Sequence, residues 1–394
     1  MNLSSYFVDL HIHIGRDYNN RPVKITGAKT LTLSNILKEA DEKKGLDMVG
    51  VIDCHAPAVQ AEIQELIDTK QAKELKDGGI QFKQVTLILG SEIEIYDENC
   101  KGPIHVLCFF PTLASMSAFT AWLRERMTNI NLSSQRYYGS AKDLQYKVKE
   151  LSGLFIPAHI FTPFKSLYGK GVQQSLREVL DDSLIDAVEL GLSSDTYMVD
   201  GIDELNPYTF LTNSDAHSLG KMAREYQEVL MKTPSFKELY YAIHHVKGRK
   251  IVRNYGMNPL LGKYYHTVCK KCLHPAPKNE PCSNCGSLQR INGVKERIDM
   301  LKTNEYSRER PTYVHQVPLD FIPSLGAKTY AKLLKAFGTE MNIIHRVSKE
   351  ELEEVVPAKL AEMILANRNG ELQIAAGGGG KYGKVVASET DSSN

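Results

Sequence analysis

The sequence predicts an α/β domain built on parallel strands, followed by a small four-cysteine metal-binding module and a helical C-terminal region. Three observations carry this. Short β-branched apolar runs alternate with helical stretches over about the first 250 residues, the pattern of parallel strands joined by crossover helices. Residues 263–290 turn rich in Cys, Pro, Lys and Asn, a stretch too short to bury an apolar core. From Pro323 onward, helical periods return. A chain of 394 residues exceeds one ordinary domain. The expected units are 1–258 for the α/β domain, 259–310 for the four-cysteine module, 311–374 for the helical region and 375–394 for a Gly-rich flexible tail.

In chain order, the candidate strands are YFVDL (6–10), MVGVID (48–53), VTLILG (85–90), IHVLCFF (104–110), GLFIPA (153–158), DAVELG (186–191) and TFLTNS (209–214). Helical periodicity lies between them at 33–45, 61–79 and 115–129, with Gly45 and Gly78-Gly79 as C-terminal stops. Beyond the Cys-rich block, SLGAKTYAKLLKAFG (324–338) and SKEELEEVVPAKLAEMILANRNG (348–370) read as helices, the second opened by a Ser348/Glu351 capping box.

Composition narrows the function classes. The apolar fraction of 42% and charged fraction of 24% are those of a globular protein. No apolar run reaches the 18 or so residues of a membrane span, and the first residues lack a signal-peptide pattern, so a cytoplasmic location with no membrane partner is expected. Seven cysteines, four of them in two close pairs, suggest metal binding rather than a disulfide framework. The net charge of +1 is uneven: residues 263–335 carry 13 Lys+Arg against 6 Asp+Glu, where a polyanion would be drawn. A solvated basic surface is the plain alternative.

The chemistry-bearing residues cluster by position. In FVDLHIHIGRD, His11 and His13 alternate with apolar residues, so on a strand both rings share one face. Taken alone they are either incidental histidines of a half-exposed strand or a pair of metal ligands. His55, Glu92, His159, Asp215 and His217 each follow a predicted strand, where a (β/α) barrel assembles its site from different strands. His105 is the exception, near the beginning of its run. Mixed imidazole and carboxylate donors suit Zn²⁺, Mn²⁺ or Fe²⁺ better than Ca²⁺, and their number calls for two or three clustered ions.

The motifs DLHIH, IDCH, GSEIEI, IHVLCFFP, IPAH and TNSDAH resemble those of the PHP (polymerase and histidinol phosphatase) domain. The resemblance implies a distorted (β/α)7 barrel with a trinuclear metal site that hydrolyses phosphoesters, and two or three Zn²⁺, Mn²⁺ or Mg²⁺ ions are expected here. Carried over residue by residue, His11, His13, Glu92 and Asp215 hold one ion, and Glu92 bridges to a second held by His105 and His159. A third falls to Asp17, His55 and His217, with Asp17 where many members have histidine. Clustered cations would polarise the phosphoryl group and activate water, with Glu92 or Asp215 orienting that water as the catalytic carboxylate.

Cys269, Cys272, Cys282 and Cys285 form two C-x-x-C pairs separated by nine residues. This spacing favours a structural tetrahedral zinc, whose binding energy replaces a missing core. A redox role is the alternative, though neither pair opens a helix after a strand. Lys270, Lys271 and Lys278 lie between the cysteines and are candidate phosphate contacts. IPSLGAKTYAKLLKAFG resembles the first half of a helix-hairpin-helix element, which would offer backbone N–H groups at Gly326, Ala327 and Lys328 to a DNA phosphate. In the second half, Val356-Pro357 replaces the usual glycine turn, which leaves a purely structural helical bundle as the alternative.

The order of barrel, ribbon, helices and GGGGKYGKV tail resembles the endonuclease Q family, as do ELGLSSD, SDAHS and GKYYH. The resemblance implies a DNA repair enzyme that cuts the phosphodiester 5′ to hypoxanthine, uracil, xanthine and abasic sites. The alternative is a phosphatase for a small phosphomonoester such as a histidinol-phosphate-like substrate. Tyr137, Tyr138, Phe164 and Tyr168 are candidates for a lesion pocket, since a damaged base must leave the stack to be read, with ordinary loop packing as the alternative. Damaged DNA is the expected partner; replication or repair proteins such as a sliding clamp are further candidates that no pattern here specifies.

Overall fold

In the computed structural model, residues 2–262, 264–277, 279–304, 309–375 and 383–385 are described. Lys278 and most of the expected Gly-rich tail lie outside them.

Seven strands close a distorted barrel. Ser4–Ile12 pairs in parallel with Met48–Val51, which pairs in parallel with Val85–Ile95. Val85–Ile95 then pairs antiparallel with Ile104–Phe110, and that strand antiparallel with Leu154–Pro157. The Asp186 N–H donates to the Phe155 carbonyl, leading into Ala187–Glu189, which pairs in parallel with Thr209–Leu211. The ring closes where Ile12 bridges Ala216 and the His13 N–H donates to the Ala216 carbonyl. All seven predicted strands are present. One of them, Ile104–Phe110, runs antiparallel to both neighbours, which resolves the His105 exception. The start of a reversed strand lies beside the ends of the others, and His105 stands opposite Glu94 near the end of Val85–Ile95.

The strand faces explain the long apolar runs. Val8, Leu10, Ile52, Ile88, Leu107, Phe109, Ile156 and Leu211 form one buried cluster inside the ring. Residues of opposite parity on the same strands, among them Val49, Leu87, Leu89, Val106 and Phe110, pack outward against helices. A strand buried on both faces has no polar alternation. Gly50 sits where a Cβ would lie 2.4 Å from the Leu10 carbonyl oxygen, so only glycine lets these strands approach.

Some elements depart from expectation. The stretch 61–79 is not one helix: Pro57–Asp68 ends there, Lys70 takes φ +59°, and Ala72–Glu74 and Ile80–Phe82 form a hairpin added to the sheet. Gly78 and Gly79, at φ +83° and +91°, serve that turn rather than a helix end. Tyr226–Met231, Lys250–Gly256 and Thr312–His315 extend the sheet beyond Ser4–Ile12. The last of these ties the start of the helical region into the barrel's own sheet.

Four helices follow: Ala327–Phe337, Glu340–His345, Lys349–Val355 and Ala358–Asn369. The Ser348/Glu351 capping box forms as expected, and Pro357 divides the last two helices. This bundle docks on the barrel through the buried Lys44–Glu340 ion pair at 2.8 Å. His345 stacks on Phe7 at 4.5 Å, and its Nε2–H donates at 2.7 Å to the Tyr226 hydroxyl, which itself donates to Gln316 Oε1.

Candidate active site

Seven of the nine proposed barrel ligands converge. Ligand atoms of His11, His13 and Glu92, of His13, Asp215 and His217, and of Glu92, His105 and His159 each lie within 4.8 Å of one another. The strand geometry explains it: His11 and His13 lie at and just past the end of the first strand, Glu92 lies three residues before the end of the third, and His105 lies at the start of the reversed fourth. His159, at φ +33°, and Asp215, at φ +46°, sit in strained backbone just past their strands. Gly191 makes room for the first of these, since a Cβ there would come 2.7 Å from that of His159.

The spacings among the donors test whether a metal fits. His11 Nε2 lies 3.5 Å from Glu92 Oε1 and 3.4 Å from Asp215 Oδ1. His13 Nε2 lies 3.7 Å from Glu92 Oε2 and 3.5 Å from Asp215 Oδ1. Four donors about 2.1 Å from a tetrahedral centre stand about 3.4 Å apart. The two Nε2 atoms are buried and have no hydrogen-bond partner among the described residues. Glu92 Oε1 also faces a second position, 2.9 Å from His105 Nδ1 and 3.4 Å from His159 Nε2. The donor set therefore fits two ions sharing Glu92.

Two carboxylates that sequence reasoning missed hold the rings in place. Glu189, at the end of the sixth strand, accepts from His11 Nδ1 at 2.9 Å, the His159 backbone N–H and the Asn213 side-chain amide. Asp53 accepts from the Ile14 N–H at 2.7 Å and lies 3.2 Å from His13 Nδ1. Such partners fix the tautomer and aim the opposite nitrogen outward. Their signal was present: each is an acidic residue at a strand end, as Glu92 is. Electrostatics point the same way. Burial works against ionisation of Glu92 and Asp215, yet His105 and Lys24 around the first and His11 and His13 around the second hold both carboxyls well below the usual range. Partial burial, then the neighbouring His13, draws His217 down to about 4 and keeps its ring neutral.

Asp17 and His55 are not brought into these groups. Asp17 Oδ1 accepts the N–H groups of Asn19 and Arg21, closing its own turn. Both nitrogens of His55 are engaged, Nδ1 with the Ser91 hydroxyl at 2.8 Å and Nε2 with the Leu132 carbonyl at 3.2 Å.

The site opens into a cavity of about 540 Å³ lined by His13, Lys24, Glu92, His105, His159 and Asp215. Its outer wall carries Phe164, edge-to-face with Tyr264 at 5.6 Å, together with Leu192 and Met257. Of the proposed lesion-pocket aromatics, Phe164 alone lines this cavity. Tyr137 is buried against Trp122, and Tyr168 is buried on Phe161 with its hydroxyl donating to Glu204. Both are core residues, because their loops fold back onto the barrel. Tyr138 is exposed elsewhere, beside the Arg136 guanidinium.

In the ribbon, Cys269, Cys272, Cys282 and Cys285 gather, with Sγ separations of 3.5 Å for Cys269–Cys285 and 3.6 Å for Cys272–Cys282. These are too long for disulfides and near the edges of a tetrahedron with metal–sulfur bonds of about 2.3 Å. Hydrogen bonds from the Asn284 side chain and the His274 N–H draw the Cys272 thiol down to about 6, toward the thiolate a metal needs. Lys270 and Lys271 are exposed, as are Gly326 and Lys328 at the start of Ala327–Phe337. Among the described residues, no side chain caps that helix.

No family model matches the sequence. Among curated proteins, the chain is 55% identical to the uncharacterized protein YqxK of Bacillus subtilis (strain 168), over 97% of this chain and 100% of that one. It is 36% identical to the uncharacterized protein MJ0043 of Methanocaldococcus jannaschii, over 57% of this chain and 31% of that one. Among solved structures, it is similar to the lesion-specific endonuclease PfuEndoQ of Pyrococcus furiosus, with a TM-score of 0.84 and 32% identity over 98% of this chain and 96% of that one. An endonuclease Q bound to a 27-mer duplex with an abasic lesion at its active site gives a TM-score of 0.82 and 32% identity, over 98% and 97% of the two chains. With this identity along nearly the whole of both chains, the protein belongs to the endonuclease Q family.

Proposed function

We propose that this protein is a metal-dependent DNA repair endonuclease that hydrolyses the phosphodiester 5′ to deaminated bases and at abasic sites. The observation that carries the reading is the convergence of the unpartnered His11 and His13 Nε2 atoms on the carboxylate oxygens of Glu92 and Asp215, 3.4–3.7 Å away, at the floor of an open cavity. Divalent ions held by these residues and by His105 and His159 would polarise the phosphoryl oxygens and activate water. Glu92 and Asp215, both ionised, supply the anionic donors and can orient that water. Glu189 and Asp53 keep the two histidines in the tautomer that leaves Nε2 free.

Substrate class follows from the surroundings of that floor. Phe164 and Tyr264 offer aromatic faces to an extruded base, while Ser133, Ser134 and Gln135 line the same cavity with hydrogen-bonding groups. The uncapped N-terminus at Gly326, where an added Cβ would meet nothing within 4 Å, leaves its N–H groups open to a backbone phosphate. Lys270 and Lys271 add positive charge to the four-cysteine ribbon, which we assign as a structural zinc site.

The test is a cleavage panel. End-labelled duplexes carrying hypoxanthine, uracil, xanthine or an abasic site are incubated with Mg²⁺, Mn²⁺ or Zn²⁺, and product lengths locate the cut. Incision immediately 5′ to the lesion is expected. Equal cutting of undamaged DNA, or turnover confined to small phosphomonoesters, would refute the reading.

A further inference from the structure

The donors expected for a third barrel ion do not assemble. Asp17 spends Oδ1 on the turn it closes, and His55 has neither ring nitrogen free. The His217 Nδ1–H is directed at the Asp215 carbonyl, 3.0 Å away, leaving one nitrogen. His13 has a single nitrogen to give, since Nδ1 is turned to Asp53 and Ser133, and the first ion claims the other. Where a third positive charge would be useful there is a side chain instead. The Lys24 ammonium lies 3.3 Å from Glu92 Oε2 and 2.6 Å from the Ser134 hydroxyl, which itself donates to that same Oε2. Glu92 divides its oxygens: Oε1 faces His11, His105 and His159, and Oε2 faces Lys24 and His13. The Lys24 side chain is only 15% exposed, yet it lines the cavity over the site.

We infer that the Lys24 ammonium takes the place of a third metal ion, so that the barrel binds two ions and Lys24 carries the remaining positive charge to the scissile phosphate. This rests on the site being a phosphodiester hydrolase. A lysine on a loop next to the ligand strand can donate to a non-bridging phosphate oxygen while staying anchored to Glu92 and Ser134. It also leaves Asp17 and His55 free for the structural roles they have, bracing the loop that carries Lys24 and the wall behind Glu92.

Metal counting decides the question without reference to turnover. Protein stripped with chelator, reloaded with Mn²⁺ and Zn²⁺ and desalted should hold about two barrel ions plus one in the ribbon, and crystals soaked in Mn²⁺ should show two anomalous peaks in the barrel. Lys24→Ala should leave that count unchanged and lower kcat on abasic DNA by about 10²-fold, the scale of one lost charge-stabilising donor. Lys24→Arg should recover part of it. Lys24→Met, which keeps the apolar stem, should match Lys24→Ala in kcat and wild type in thermal melting. A third barrel ion between Asp17, His55 and His217 would overturn the inference, as would Lys24→Ala at full kcat. Two bound ions in a wild-type protein that cuts no lesion would instead sink the nuclease reading and leave the ion count standing.

Discussion

Replacing Glu189 by glutamine isolates the role of the buried carboxylate behind His11. Three donors converge on it: the His11 Nδ1–H at 2.9 Å, the His159 backbone N–H at 2.8 Å and the Asn213 amide at 2.8 Å. A carboxylate accepts all three, but a glutamine has one oxygen and one NH2. If its oxygen takes His11 and Asn213, its NH2 faces the His159 N–H and a buried donor goes unpaired, costing about 1–3 kcal/mol. If the amide turns over, the NH2 faces Nδ1 of His11 and selects the tautomer protonated on Nε2. The lone pair aimed at Glu92 and Asp215 is then lost. Either way metal affinity should fall by about 10–100-fold, the range for outer partners of metal-bound histidines. The assay is cleavage of an abasic duplex across a Mn²⁺ titration. We expect the half-activating concentration to rise by that factor, with much of kcat regained at saturation. A half-activating concentration within twofold of wild type, with unchanged melting, would refute the tautomer argument.

Three further outcomes follow from the geometry. His345 is drawn to about 3 by burial, below its ordinary 6.5, so the native state keeps the ring neutral while the unfolded chain takes up a proton. Its stabilisation is intact above pH 6.5 and is lost as pH falls toward 3, amounting to about 2 kcal/mol by pH 5; His345→Gln should flatten the acid side of a melting-temperature profile. Cys282→Ser should cost about one zinc per chain by elemental analysis and leave the barrel ions in place. Phe164→Ala should weaken binding of lesion duplexes by about tenfold or more, the scale of one lost base-stacking contact, with little change for undamaged DNA in a gel-shift titration.

The barrel strands were legible because burial on both faces writes continuous β-branched runs, and the candidate ligand residues because all but His105 lie at or just past the end of such a run. What the sequence could not carry was direction. Nothing local in IHVLCFF says that it runs against its neighbours, and only that reversal brings His105 to Glu92. The hairpin after Asp68 was hidden for a similar reason: ELKDGG fits a helical period, and pairing with Val85–Ile95 decides otherwise. Tyr137 and Tyr168 looked like loop aromatics, yet their loops fold inward and bury them. Glu189 and Asp53 carry a weaker signal than the histidines, because only the fold shows that these acids stand behind the rings, at the ends of neighbouring strands. Asp17 is the opposite case, since a competent ligand type at the expected spacing is held by its own turn.

The free Nε2 atoms of His11 and His13 distinguish a functional cluster from a packed polar core. A buried, unpaired polar nitrogen costs about 1–3 kcal/mol, and two of them are a large part of a net stability of about 5–15 kcal/mol. Glu189 and Asp53 engage the other nitrogen of each ring and turn the free ones toward two carboxylates held ionised. That arrangement is unfavourable for a folded chain by itself and favourable once a cation sits between the four donors. His55, with the same ring at a strand end, instead has both nitrogens hydrogen-bonded, to Ser91 and to the Leu132 carbonyl. The contrast between His55 and the His11–His13 pair is therefore the physical reason to assign metal chemistry to one and scaffolding to the other.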